Sequence, residues 1–196
     1  MNDSIGPRTG RLSLGARART ALVVAVTAAV IAVTAFVIDQ PAKAGGFSPS
    51  GIANGAPPQA GEKVPDFEAT TPDGKTVKLS DFAGRPVWLS FGATWCPDCR
   101  AEAADVEAAY LANQAKGLAI LTIWVNDDPA NVTAFAAKNG FTFAMGLDPD
   151  QRIADGYRLL GYPTHFFVDA TGVIQVVRLG RLTPEDMAQS IAEITD

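Results

Sequence analysis

The apolar residues of this chain fall into runs whose spacing assigns most of its elements. Val87–Ala93 and Leu118–Val125 are continuous and of strand length, the pattern of strands covered on both faces. A third strand is predicted over Gly161–Asp169, entered through Pro163, and Ala170-Thr171-Gly172 turns it into Val173–Leu179. Pro97–Lys116 changes to Ala, Glu, Leu and Tyr with no Gly or interior Pro, which reads as a helix with Gly117 as its C-cap. Asp128-Pro129 opens a second helix that ends at Asn139-Gly140, and Asp150–Leu160 reads as another. Phe141–Ala144 reads as a short strand between them. The last helix starts at Thr183, an N-cap followed by Pro184 at the first helical position. Near the start of this region, Phe67 and Ala69 face Val77 and Leu79 across the turn Thr71-Pro72-Asp73-Gly74, a hairpin. Strands alternating with helices and ending in a hairpin predict an α/β domain with a mixed sheet.

Upstream the pattern changes twice. Ala21–Ile38 is apolar apart from Thr27 and Thr34. As a helix it reaches about 27 Å, close to the roughly 30 Å of a hydrocarbon core. Four arginines precede it in the basic segment 1–20. The expectation is a cytoplasmic tail, a single-pass anchor in the lipid bilayer at 21–38, and an extracytoplasmic domain at the cell membrane. The alternative is a signal peptide cleaved after Ala44, since Ala42-Lys43-Ala44 has the small-x-small form. Residues 39–61, with Pro41, Pro49, Pro57 and Pro58 among Gly, Ala, Ser and Gln, read as a flexible linker. Residues 62–196 then form the folded domain. Five of the 16 basic and two of the 21 acidic residues precede Gly61, so the domain is acidic. With no basic stripe, nucleic acid is excluded as a partner.

Both cysteines of the chain, Cys96 and Cys99, lie where the first central strand passes into the following helix. A helix start presents unpaired N–H groups and a partial positive charge, which stabilise a thiolate. Pro97 loses nothing in the first turn, and three residues of helix bring Cys99 to disulfide distance from Cys96. The expected chemistry is thiol–disulfide exchange, with Cys96 the exposed attacking sulfur and Cys99 the buried resolving one. A structural disulfide closing so short a loop would contribute only about 2 kcal/mol, against about 4.7 for a 100-residue loop. Four-ligand zinc is hard to assemble from two Cys and one His. No cofactor beyond the redox-active disulfide is expected, and no metal.

Trp95-Cys96-Pro97-Asp98-Cys99 after an apolar strand, followed by Tyr162-Pro163-Thr164 at a later strand entry, resembles the thioredoxin fold. With the hairpin ahead of the core, the helix-bearing segment 126–147 and Cys99-Arg100-Ala101-Glu102, the chain resembles the TlpA/ResA type of membrane-anchored thiol–disulfide oxidoreductase. The resemblance implies a three-layer α/β/α domain with a mixed central sheet, an N-terminal hairpin and a helix-bearing insertion. It implies Cys96 and Cys99 as the redox pair, Pro163 in cis opposite them, and the backbone of Tyr162 turned toward the sulfurs to pair with substrate. Trp95 is placed as a lid beside Pro97. Glu102, three residues past Cys99 on one helical face, matches a carboxylate that can exchange a proton with a thiol.

Two departures stand out. Ser90 occupies the place of the buried Asp of ordinary thioredoxins, which leaves its proton role to Glu102, and Ala104 stands where many relatives have a helix-kinking proline. Asp98, beside Cys96, opposes the helix dipole and favours a reductant over a strong oxidant. The implied partners are protein disulfide or dithiol substrates, such as exported proteins and apocytochrome c, and a membrane thiol–electron carrier as reductant. Two alternatives use the same fold. A Sco-like copper-binding module would recruit Cys96, Cys99 and His165, the only histidine. A peroxiredoxin-like peroxidase would want Pro and Thr where Leu89 and Ala93 stand.

Overall fold

The computed structural model describes residues 55–195. Its elements, in chain order, are β1 (Glu68–Thr70), β2 (Thr76–Lys78), β3 (Val87–Gly92), α1 (Pro97–Asn113), β4 (Ala119–Val125), α2 (Pro129–Asn139), β5 (Ala144–Asp148), α3 (Arg152–Gly156), β6 (Thr164–Val168), β7 (Ile174–Leu179) and α4 (Pro184–Thr195). The strands form one mixed sheet in the order β2-β1-β5-β4-β3-β6-β7. β3 pairs in parallel with β4, and β4 with β5, while β6 runs antiparallel to β3 and β7 antiparallel to β6. Every residue of β3, β4 and β6 is buried, as their unbroken apolar runs require.

Side-chain alternation along β4 divides the core between the two faces. Leu121, Ile123 and Val125 join Phe67, Phe91, Phe166 and Tyr157 on one face, which α3 covers with Ile153 and Ala154. Ile120 joins Trp88, Phe167 and Leu118 on the other, against Val106 of α1 and Met187, Ile191 and Ile194 of α4. Trp124 meets Val132 of α2 on that second face. The result is the α/β/α arrangement expected. The cap residues act locally as their types dictate. Asp128 accepts from Asn131 N–H at 2.9 Å, Thr183 Oγ1 from Asp186 N–H at 3.2 Å, and Gly117 takes a left-handed φ of 93° to close the turn after α1.

Three expectations need correction. The first concerns location: among the described residues no helix is long and apolar enough to cross a membrane. The anchor at 21–38 lies outside the described residues, so the single-pass membrane placement is withdrawn. The second concerns the strand expected over Phe141–Ala144. β5 begins where it was to end, because Phe141 and Phe143 turn aside to pack on each other with tilted rings, their centroids 4.6 Å apart. The third is the helix expected over Asp150–Leu160. α3 spans only five residues, since Arg158 takes a φ of 51° and the chain leaves the helix there. At the other end of the domain, Pro58 is buried and Gly61 N–H donates to Ile174 O at 2.8 Å.

The turn between β6 and β7 is built around Asp169. Its Oδ1 accepts from Thr171 N–H, Thr171 Oγ1 and Val173 N–H, and its Oδ2 from the Gln175 amide. Desolvation works to raise this carboxyl, yet the hydrogen bonds outweigh it and hold it down at about 2, from 3.8. A depressed folded value means that the folded state binds fewer protons than the unfolded one. The stability it contributes is therefore complete above 3.8 and is lost as pH falls through about 2. Acid titration of the melting temperature should show Asp169→Asn flatter than the parent in that window.

Candidate active site

β3 ends at Gly92, and the chain crosses Ala93-Thr94-Trp95 before α1 begins at Pro97. Cys96 is the N-cap of α1, with extended backbone angles, and its Sγ accepts from Cys99 N–H at 3.3 Å. The two cysteines form a disulfide with their Cα atoms 5.3 Å apart. Across from them the Tyr162–Pro163 peptide bond is cis, and the Tyr162 carbonyl oxygen lies 3.6 Å from Cys96 Sγ. Ala93 and the Tyr162 side chain pack on the pair. Burial first, then the negative charges of Asp148 and Asp155, push the Tyr162 phenol up from 10.0, which keeps it neutral.

The expectation of an exposed Cys96 over a buried Cys99 is not met. Cys96 is 4% and Cys99 6% exposed. The cover over Cys96 is the Tyr162 loop, whose ring meets Trp95 edge to face at 6.0 Å. Trp95 itself stands 53% exposed and donates its indole N–H to Asn126 O at 3.2 Å.

Glu102 lies one helical turn beyond Cys99, 3% exposed. Its Oε2 accepts from Leu182 N–H at 3.0 Å, and its Oε1 sits 3.4 Å from His165 Nε2. His165 is wholly buried, with Nδ1 facing Trp88 Nε1 at 3.2 Å and Ser90 Oγ at 3.1 Å. Its Nδ1 is taken by Trp88 and Ser90, and its Nε2 faces Glu102. Among the described residues no group of three His, Cys, Asp or Glu could hold a metal ion, which removes the Sco-like arrangement of Cys96, Cys99 and His165. The peroxidase places are filled by Leu89 and Ala93, both fully buried and apolar.

One residue beside the site was not singled out from the sequence: Asp127 is only 8% exposed. Its Oδ2 accepts from Thr94 N–H at 2.6 Å and its Oδ1 from Thr94 Oγ1 at 3.0 Å, so the β4–α2 loop clamps the approach to Cys96. Only its place at the end of a buried strand hinted at this. Gly92 matters for a simpler reason: a Cβ there would stand 3.2 Å from Cys99 Sγ. Gly92→Ala should leave the fold intact and slow exchange through the displaced sulfur by roughly tenfold, measured by stopped-flow oxidation of the reduced protein.

Known proteins resemble the chain over this same region. The model of the AhpC/TSA family matches residues 60–177. The thiol-disulfide oxidoreductase ResA of Geobacillus thermodenitrificans is 31% identical over 134 residues, 68% of this chain and 77% of that protein. The thioredoxin-like protein YneN of Bacillus subtilis is 33% identical over 135 residues, 68% of this chain and 79% of its own. A Chlorobium tepidum crystal structure described as a thiol:disulfide interchange protein DsbE superposes with a TM-score of 0.66 at 28% identity. It covers 71% of this chain and 99% of that one.

Proposed function

The chain belongs to the AhpC/TSA family as a ResA-like thiol–disulfide oxidoreductase, and from that premise we propose that it reduces protein disulfides, apocytochrome c among them. The carrying observation is the Cys96–Cys99 disulfide at the start of α1, facing the cis Tyr162–Pro163 bond. In the reduced enzyme the Cys96 thiolate is stabilised by the Cys99 N–H already aimed at it and by the helix terminus. It attacks one sulfur of the substrate disulfide, forms a mixed disulfide and expels the other sulfur as a thiolate, which takes a proton. Cys99, deprotonated, then attacks Cys96 Sγ. The Cys96–Cys99 bond forms, the mixed disulfide breaks, and the substrate leaves as a dithiol while the enzyme is oxidised.

The Tyr162 carbonyl beside Cys96 supplies a backbone acceptor for an extended substrate segment, and Trp95 offers it an apolar surface. Glu102 is the base for Cys99, being buried on the same face of α1. A dithiol electron carrier returns the enzyme to its reduced state. Asp98 in the first turn of α1 opposes accumulation of the thiolate and supports the reducing direction. The test is the equilibrium potential of the Cys96–Cys99 couple. A value of about −300 mV is expected; one of about −120 mV would make the protein an oxidant and end this reading.

A further inference from the structure

We propose that His165 is a positioning residue that holds Glu102 for proton transfer with Cys99, and that the transfer crosses a single-water site walled by Cys99, Glu102 and Trp124. The proposal rests on the exchange reaction above and adds to it a device that Glu102 alone does not supply.

The protonation of His165 follows from its neighbours. An indole N–H is a donor only, so Trp88 Nε1, 3.2 Å away, requires Nδ1 to be an acceptor. The Ser90 hydroxyl, 3.1 Å from the same nitrogen, has the same lone pair to use. The proton of the neutral ring is therefore on Nε2. That nitrogen has no hydrogen-bond partner of good geometry, and it stands 3.4 Å from Glu102 Oε1. The ring thus sets its N–H edge against Oε1, short of an aligned hydrogen bond, while Leu182 N–H donates to the other oxygen at 3.0 Å. Ser90 is where a thioredoxin would carry its own acid. Here that place binds the histidine, and the acid reaches the same pocket from α1.

Beneath the disulfide is a cavity of about 20 Å³ lined by Ser90, Gly92, Cys99, Glu102, Thr122 and Trp124. It is large enough for one water, and Glu102, Ser90 and Thr122 bring polar groups to a wall that is otherwise mostly apolar, with Val106, Phe141 and Phe143 among its other residues. Trp124 lines the cavity, and its Nε1 is buried with no protein partner, a donor in need of an acceptor. A water accepting from Trp124 and donating to Glu102 bridges the carboxylate to Cys99 Sγ. In the resolving step the Cys99 S–H proton passes through it to Glu102, the thiolate attacks Cys96 Sγ, and the substrate sulfur leaves. The remaining charged groups near the pair are engaged or outward. Arg178 lies opposite His165 on β7 with its Nε 3.5 Å from Ser190 Oγ; Asp127 is bonded to Thr94, and Asp98 is exposed.

Stopped-flow reaction of the reduced protein with an aromatic disulfide that releases a coloured thiol separates the two cysteines. A first phase reports attack by Cys96 and a second reports resolution by Cys99. His165→Phe, which removes the N–H, should leave the first phase unchanged and move the acid limb of the second by about one pH unit to higher pH, about tenfold slower below it. His165→Gln, which retains a donor, should recover most of that loss, and Glu102→Gln should abolish the limb. A second-phase limb unmoved in His165→Phe, or retained in Glu102→Gln, overturns the proposal even if stability falls. Absence of both phases in the parent protein would instead sink the exchange reading. The tautomer is checked without any variant. Nitrogen NMR of the parent should report the Nε2–H tautomer, and an Nδ1–H ring would overturn the proposal.

Discussion

The Cys96→Ser protein should reduce no disulfide above background, while Cys99→Ser should accumulate a mixed disulfide with its substrate. The asymmetry follows from the two environments. Cys96 receives the Cys99 N–H at the helix start and faces the Tyr162 carbonyl where a substrate strand arrives. A serine oxygen there is a far weaker nucleophile at neutral pH. Cys99 lines the interior cavity and is bonded to Cys96, so its loss spares the first attack and removes the second. Non-reducing electrophoresis after incubation with a disulfide-bonded protein separates the outcomes. A Cys96→Ser protein that still turned over substrate would refute the assignment of roles.

Tyr157→Ala should cost about 3–5 kcal/mol of folding stability. Tyr157 is fully buried, just beyond α3. Its ring lies 4.9 Å from Phe91, 5.3 Å from Phe166 and 5.8 Å from Phe67, between centroids. Its hydroxyl donates to Pro65 O, fastening the entry to the hairpin on the sheet. Burial raises this phenol well above 10.0, so the hydroxyl remains a donor at every working pH. Tyr157→Phe keeps the ring and strands the Pro65 carbonyl, for a smaller loss of about 1–3 kcal/mol. Urea denaturation distinguishes the two. Equal losses would mean that the hydrogen bond, not the packing, dominates.

Tyr157 also shows where reading the sequence reaches its limit. It falls within a stretch whose apolar spacing predicts a helix, and the spacing is indeed set by what the residue buries. Helix length is set by something else: Arg158 departs to a left-handed φ, and the chain must still reach the Tyr162–Pro163 turn. Likewise Phe141 and Phe143 have strand composition, yet they stack in an aromatic group with Tyr110, Trp124 and Phe135 instead of entering the sheet. Propensity describes a residue's own backbone; tertiary contact overrides it when the burial at stake is larger.

What the chain alone determined is whatever depends on neighbours a few residues apart. The unbroken apolar runs dictated β3 and β4, the placement of Cys-x-x-Cys put two sulfurs at a helix start, and Asp128 and Thr183 capped the helices they precede. Only the folded molecule decided the environment of that chemistry. Thr94 meets Asp127 across 33 positions, Trp88 meets His165 across 77, and Glu102 meets Leu182 across 80. Hydrogen bonds between residues so distant leave no periodic mark, because each depends on strand register and not on local spacing. The same register covers Cys96 with the Tyr162 loop and turns the lone histidine inward, toward Glu102.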